Sequence, residues 1–471
     1  MLCFAVPRRA ESSQERPLNQ TTTVAPETGT KAERLPRRLG VWSAAAVLVG
    51  STIGSGIFRV PSTVAGDVGA VGALALLWVA GALVALFGAL TLAELAALFP
   101  RTGGIYVFLR EAWGPVPAFL FGWTELLVIR PSALGAISMI FAEYVGEFMP
   151  LTDGQTRLVA AAAIAGLAAA NYRSVTWGAA VQNASTAAKV VALVALAAAA
   201  LVFGDGSTGA LGAAPSFEPY SWAGFGVALI GVMWAYDGWA DLTFMAGEVK
   251  DPGRTMPRAL LGGTLAVVAV YLAVNAAYLY VLPVDEMATS DLVAADAARR
   301  IFGAVGASLV AALVMLSTFG ALNGSMMTGP RIFFAMADDE LFFQPVAKVH
   351  PRFHTPHVAI GLAAALGIGY VSIRTFEQLA DAFILGIWPF YALAVGAVFL
   401  MRRRRPDAER PYRTLGYPVV PAVFLLASIA MLANSVIEQP VDTGISFGII
   451  LAGIPAYYGW QALRRRREVT A

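Results

Sequence analysis

Gly50-Ser51-Thr52-Ile53-Gly54-Ser55-Gly56-Ile57-Phe58 interrupts an apolar run that starts at Val41 and resumes from Ile57 to Val71. Three glycines, with Ser51, Thr52 and Ser55 among them, are poor material for an unbroken helix. In lipid, backbone released from helical bonding is tolerated only where protein buries it or where it lines a cavity. A glycine-interrupted membrane helix therefore points to a binding site.

The surrounding chain has the composition of a membrane protein. Of its 471 residues, 58% are hydrophobic and 14% charged, and the mean hydropathy is +0.66. A spanning helix takes about 20 mostly apolar residues. Twelve such runs are predicted, near 41–66, 72–97, 115–149, 156–171, 178–203, 221–247, 258–282, 306–336, 356–373, 376–401, 417–437 and 442–463. The fold class is thus an all-α membrane protein of twelve transmembrane helices. With the N-terminus inside, most of the 33 Lys and Arg residues fall on the cytoplasmic side, and only Arg59, Arg157, Arg299, Arg300 and Arg374 on the other. That asymmetry places both termini in the cytoplasm of a multi-pass protein of the cell (inner) membrane.

Residues 1–36 are polar and read as a disordered cytoplasmic tail, without the order of regions that marks a signal peptide. The only cysteine, Cys3, lies there, so no internal disulfide forms. Residues 37–405 read as the core of ten helices, and 406–471 as two further helices with a basic cytoplasmic end. The segment from Val284 to Arg300 is the main external insert, with a short surface helix expected in it.

A second interruption falls in the sixth run: Gly231-Val232-Met233-Trp234-Ala235-Tyr236-Asp237-Gly238-Trp239-Ala240-Asp241. A glycine and two aspartates break an apolar helix there. The sixth run is the first shifted by five spans, and an odd shift reverses the direction of entry. The pattern is a five-plus-five inverted repeat whose broken helices, 1 and 6, meet at the midplane.

A helix ending near Thr52 leaves carbonyls unpartnered, and one beginning near Ile57 leaves N–H groups unpartnered. The two ends carry opposite partial charge and form a receptor for a zwitterion. The N–H groups of Ser55, Gly56 and Ile57 suit an α-carboxylate. The carbonyls of Thr52, Ile53, Trp234, Ala235 and Asp237 suit an α-ammonium. The competing reading is that Gly50 and Gly54 form a helix-packing face.

The stretch Ile53-Gly54-Ser55-Gly56-Ile57-Phe58 resembles the first-helix signature of the amino acid–polyamine–organocation (APC) transporter superfamily. Trp123-Thr124-Glu125-Leu126-Leu127-Val128-Ile129-Arg130-Pro131-Ser132 is similar to the third helix of its L-type amino acid transporter family. Trp234-Ala235-Tyr236-Asp237-Gly238-Trp239, Glu248-Val249-Lys250-Asp251-Pro252 and Ser317-Thr318-Phe319-Gly320-Ala321-Leu322-Asn323-Gly324-Ser325 resemble its sixth helix, the following loop and its eighth helix. The likeness covers roughly 37–465. It implies the inverted repeat, alternating access, and a secondary transporter, exchanger or facilitator, of neutral L-amino acids. It also implies that Trp234 closes over substrate as a gate. Lys189 is placed where sodium-coupled relatives of the fold hold a cation, bridging the first break to Ser317 and Thr318. Without that resemblance, a lysine about 12 Å past Val181 also suits snorkelling to the interface.

Asp237 admits two readings. A buried acid selects cationic side chains, making a cationic amino acid exchanger, or it hydrogen-bonds locally beside a neutral pocket, which is the reading favoured. Asn323 either supports the pocket wall or bonds between helices. Arg130, mid-span, needs a partner. Glu125 is the nearest candidate, although a spacing of five is off the favoured helical face. Pro131 frees the Leu127 carbonyl. Trp239 reads as a core aromatic. His350, His354 and His357 lie in a cytoplasmic loop and read as solvated, so no metal is expected. No cofactor, nucleic acid or disulfide-linked heavy chain is expected either, only the amino acid and the bilayer. A channel would need a selectivity filter, and an enzyme a catalytic constellation; the spans contain neither.

Overall fold

The computed structural model describes residues 37, 39–173, 175–206, 221–342, 344–348, 350–353 and 355–470. The tail 1–36 with Cys3, and His354, lie outside them.

The described chain is helical throughout its ordered elements. The first apolar run is two helices, α1 (Val41–Thr52) and α2 (Gly56–Val68), bent by 41° at the glycine break. Then come α3 (Val71–Leu98), α4 (Ile105–Trp113) and α5 (Pro115–Thr124). One π turn, Glu125–Ile129, joins α5 to α6 (Arg130–Val145), so the third run is a single interrupted span. α7 (Asp153–Arg173) and α8 (Val175–Phe203) complete the first half.

The sixth run is α9 (Trp222–Tyr236), a turn, and α10 (Asp241–Phe244). The second break therefore begins at Asp237, and Gly231, expected to take part in it, is helical. A Cβ on Gly231 would meet only Val60 Cγ1, at 3.5 Å, so this glycine sits at the packing contact between α9 and α2. α11 (Pro252–Val281) and α12 (Val284–Ala288) follow, the latter a short helix within the insert Val284–Arg300. α13 (Val293–Asp338) already contains the end of that insert and bends at Gly303, where φ is +68°. Last are α14 (His357–Ile373), α15 (Phe376–Arg404), α16 (Val419–Glu438) and α17 (Pro440–Thr470).

Among the described residues, eight helices are long and apolar enough to cross a bilayer, or nine with the α1–α2 pair taken as one span. α9 and α14 are shorter apolar helices. Leu83, Val191, Leu201, Leu309 and Leu426 are exposed on outer faces, more apolar surface than a water-soluble protein presents. Inside, α1 packs on α8 and α11, α2 on α9 and α12, and α6 on α13 and α15. The interrupted helices are thus enclosed by the rest of the bundle, which is what unbonded backbone at membrane depth requires.

Candidate functional site

The two interruptions meet backbone to backbone. A Cβ on Gly56 would lie 2.4 Å from Ala235 Cα, and one on Gly238 would lie 2.7 Å from the Thr52 nitrogen. Gly238 also takes φ +108°, a conformation side chains disfavour. Glycine is needed at both positions for the half-helices to touch. Ser55, at the N-cap of α2, gives no side-chain cap. The Phe58 N–H donates to the Ser55 carbonyl (3.1 Å), which leaves the N–H groups of Gly56 and Ile57 without a side-chain cap, with the positive end of the helix behind them.

Buried side chains from elsewhere hold the broken ends. Lys189 of α8 donates from Nζ to the Gly50 carbonyl at 2.6 Å, a cation on the negative end of α1. Ser317 donates to the Gly54 carbonyl at 3.4 Å. Tyr271 of α11 donates to the Thr52 carbonyl at 2.8 Å. Lys189 and Ser317 thus reach the same break from α8 and α13. Thr318 bonds back to Val314 in its own helix (2.8 Å).

One expectation needs correction. The Thr52 carbonyl accepts both Tyr271 Oη and the Gly54 N–H (2.8 Å), so both lone pairs are engaged and it is not open to an ammonium.

Between the breaks lies a cavity of about 60 Å³, room for roughly four to six waters. Ser51, Thr52, Gly54, Ser55 and Gly56 form one wall, and Trp234, Asp237, Gly238 and Asp241 another. Ile129, Ala133 and Ile137 of the third span, with Phe383 and Ile387 of α15, close it with apolar surface. Of the residues singled out from the sequence, Thr52, Ser55, Gly56, Trp234 and Asp237 line it. Ile53, Ile57 and Ala235 are buried beside it and are not part of its lining. Asn323 is bonded between helices, accepting from Asn171 Nδ2 of α7 at 2.8 Å.

Trp234 is buried and meets Phe383 edge-on, with centroids 5.0 Å apart and planes at 89°; Phe376 lies beyond at 6.1 Å. Trp239 packs on Tyr391 and Phe424. The Asp237 carboxylate accepts from Tyr391 Oη at 2.7 Å, and the Asp241 carboxylate accepts from Ser51. Each acid has a local hydroxyl donor.

Arg130 also lines the cavity, which the sequence reading did not anticipate. Its Nε donates to Glu125 Oε1 at 2.8 Å, and its NH1 to Ser325 Oγ at 2.7 Å. The π turn explains the pairing. Its i→i+5 bond, from the Arg130 N–H to the Glu125 carbonyl, brings residues five apart onto one face. π turns of this kind cluster at functional sites. Gly329 leaves room for the guanidinium, since a Cβ there would lie 2.3 Å from Arg130 Nε. The Leu127 carbonyl, freed by Pro131, accepts from Tyr370 Oη of α14.

The histidines are less solvated than expected. His350 and His357 are half-buried against Tyr172, at 5.3 and 5.9 Å, and Phe353 stacks on His350. Among the described residues no three His, Cys, Asp or Glu side chains form a metal cluster.

A small polar cavity where two interrupted membrane helices meet, closed by aromatic and aliphatic side chains, defines a membrane transporter of small solutes. The sequence matches the amino acid permease family over residues 39–459. It is 32% identical to the serine/threonine exchanger SteT of Bacillus subtilis over 433 residues, 91% of this chain and 98% of that one. It is 32% identical to the mouse b(0,+)-type amino acid transporter 1 over 456 residues, covering 93% and 92%. The human large neutral amino acids transporter small subunit 2 is 30% identical over 463 residues, covering 96% and 85%. The chain belongs to the amino acid permease family, within the APC superfamily, and is an amino acid transporter.

Proposed function

We propose that the protein exchanges neutral L-amino acids with small side chains across the cell membrane by alternating access. In this reading the spans number twelve, arranged as a five-plus-five inverted repeat over 37–405 with two added helices over 406–471, both termini are cytoplasmic, and no heavy chain is attached. The substrate α-carboxylate takes the N–H groups of Ser55, Gly56 and Ile57. The α-ammonium takes the carbonyl of Asp237, which lines the cavity, in place of that of Thr52. Trp234 closes over the bound molecule, and Lys189 keeps the end of α1 in register as a fixed cation.

The observation that carries this reading is the uncapped start of α2, which touches the second break and lines with it a cavity of about 60 Å³. A bare helix N-terminus supplies an anion receptor common to every amino acid, and so small a cavity favours a short side chain. Both cavity acids have hydroxyl donors of their own, which supports a neutral over a cationic cargo. The serine/threonine exchanger among the relatives points the same way.

The test is uptake into proteoliposomes loaded with serine or left empty. Serine, threonine and alanine are expected to enter saturably and faster into loaded vesicles, and leucine, arginine and glutamate poorly. Preferred uptake of arginine would transfer the assignment to a cationic exchanger built on Asp237. Uptake that never saturates would end the transporter reading in favour of a channel.

A further inference from the structure

Away from the substrate cavity, a second concavity opens between the end of α7 and the start of α14. It measures about 580 Å³, against about 60 Å³ for the substrate cavity. Ala168, Ala169, Ala170 and Ile360 give it an apolar floor, with Gly361 among them. Tyr172 and Arg173 complete its lining.

We propose that this groove binds an anionic glycerophospholipid, one acyl chain along the alanine and glycine floor and the phosphate at Arg173. The site is separate from amino acid recognition and does not depend on which amino acid is carried.

The argument begins with charge. Arg173 is exposed in the last turn of α7. Among the described residues no hydrogen bond or ion pair engages its guanidinium, and no acid lines the groove. A second guanidinium, Arg352, is exposed over the Phe353 ring at 5.6 Å, and that ring packs on Tyr172 at 5.8 Å. Two arginines with no acidic partner among the described residues, beside a tyrosine at the end of an apolar membrane helix, match the negative surface of a bilayer leaflet. Arginine is suited to phosphate because its planar fork offers paired donors.

The second strand of the argument is shape. Ala169, Ala170 and Gly361 are exposed, and a Cβ on Gly361 would meet nothing within 4 Å. The gap is therefore a real space beside a helix rather than a close helix contact. It is walled by rigid elements: Thr355 donates to the Tyr172 carbonyl at 2.8 Å, tying the segment before α14 to the end of α7. α14 starts there with no side-chain cap, which leaves first-turn N–H groups near the groove and adds to its attraction for an anion.

The experiment is native mass spectrometry of the purified, delipidated full-length protein titrated with palmitoyl-oleoyl phosphatidylglycerol or the matching phosphatidylcholine. The unaltered protein is expected to retain phosphatidylglycerol at least tenfold better. Arg173→Gln should remove that preference, and Gly361→Leu, which fills the groove, should weaken retention of phosphatidylglycerol about tenfold. Amino acid uptake by both variants verifies that they fold. Equal retention of the two lipids by the unaltered protein, or undiminished phosphatidylglycerol binding in either variant, overturns the proposal.

Discussion

A single methyl group at Gly56 separates contact from separation of the two breaks. The Cβ would lie 2.4 Å from Ala235 Cα, a backbone atom with little freedom to yield. At Gly54 the same methyl meets the Ala321 side chain at 3.2 Å, and at Gly40 it meets nothing. Gly56→Ala should therefore cut uptake more than tenfold and Gly54→Ala several-fold, with Gly40→Ala unchanged, in proteoliposomes matched for protein content. Equal activity of the three variants would remove the close approach from the account. Arg130 and Glu125 pose a different test, because both are buried and each neutralises the other. Removing one partner of such a pair costs about 3–5 kcal/mol. Glu125→Gln should lower the midpoint of thermal unfolding in detergent well below that of an exposed control such as Glu438→Gln.

At the scale of the element, apolar length made the helices legible, and local chemistry explains where the reading slipped. Each apolar run lies on a helix or on an interrupted pair of helices, because runs of this length have few other ways to satisfy their backbone. The second break was read within Gly231–Asp241, and it occupies the later part of that stretch, from Asp237. Gly231 looks like a helix breaker in sequence, but it is a contact surface for α2. The Arg130–Glu125 pair was read as out of phase because α-helical spacing was assumed, whereas the π turn changes the phase. A buried acid and arginine five apart, followed by proline, was the available signal. The donor to Thr52, Tyr271, lies 219 positions away, and nothing local in the sequence could name it. Deleting Leu127 would restore α-helical register and turn Arg130 by about 100° relative to Glu125; uptake should be lost. Tyr370→Phe leaves the turn in place but strips the Leu127 carbonyl of its donor, at a cost of about 1–3 kcal/mol. Its thermal midpoint should fall while its KM for substrate stays within twofold. A KM shift as large as that of the deletion would mean that Tyr370 acts on substrate rather than on the turn.

Across the whole molecule, two sets of ties sit toward opposite ends of α13. Before its start, Arg59 of α2 pairs with Asp291 at 2.9 Å and with Glu377 of α15 at 3.1 Å. Near its other end, Arg331 pairs with Glu248 at 2.9 Å, next to the parallel bridge of Leu39 with Val249. Arg59 lies one helical turn past Gly56, so its ties act on the half-helix whose N–H groups are proposed to receive the substrate carboxylate. Alternating access requires that the two sets open in turn, and a ligand shifts such an equilibrium only by its differential affinity for the two states. The partners of Arg59 are exposed, Asp291 to 86% and Glu377 to 46%, and pairs of this kind contribute about 0.2–1 kcal/mol each. Losing both pairs of Arg59 should therefore move the population several-fold toward opening at that face, short of locking it. The single cysteine makes this measurable, since Cys3→Ser gives a cysteine-free background. Ala133→Cys then places a thiol in the cavity lining. With a membrane-impermeant maleimide, Arg59→Gln should raise the labelling rate several-fold from the face that holds Asp291. Arg331→Gln should raise it from the other face. With serine as the proposed cargo and Trp234 as the proposed gate, saturating serine should slow labelling in both. If both substitutions speed labelling from the same face, the two sets of ties do not act as alternating barriers, and the opposition across α13 has no part in transport.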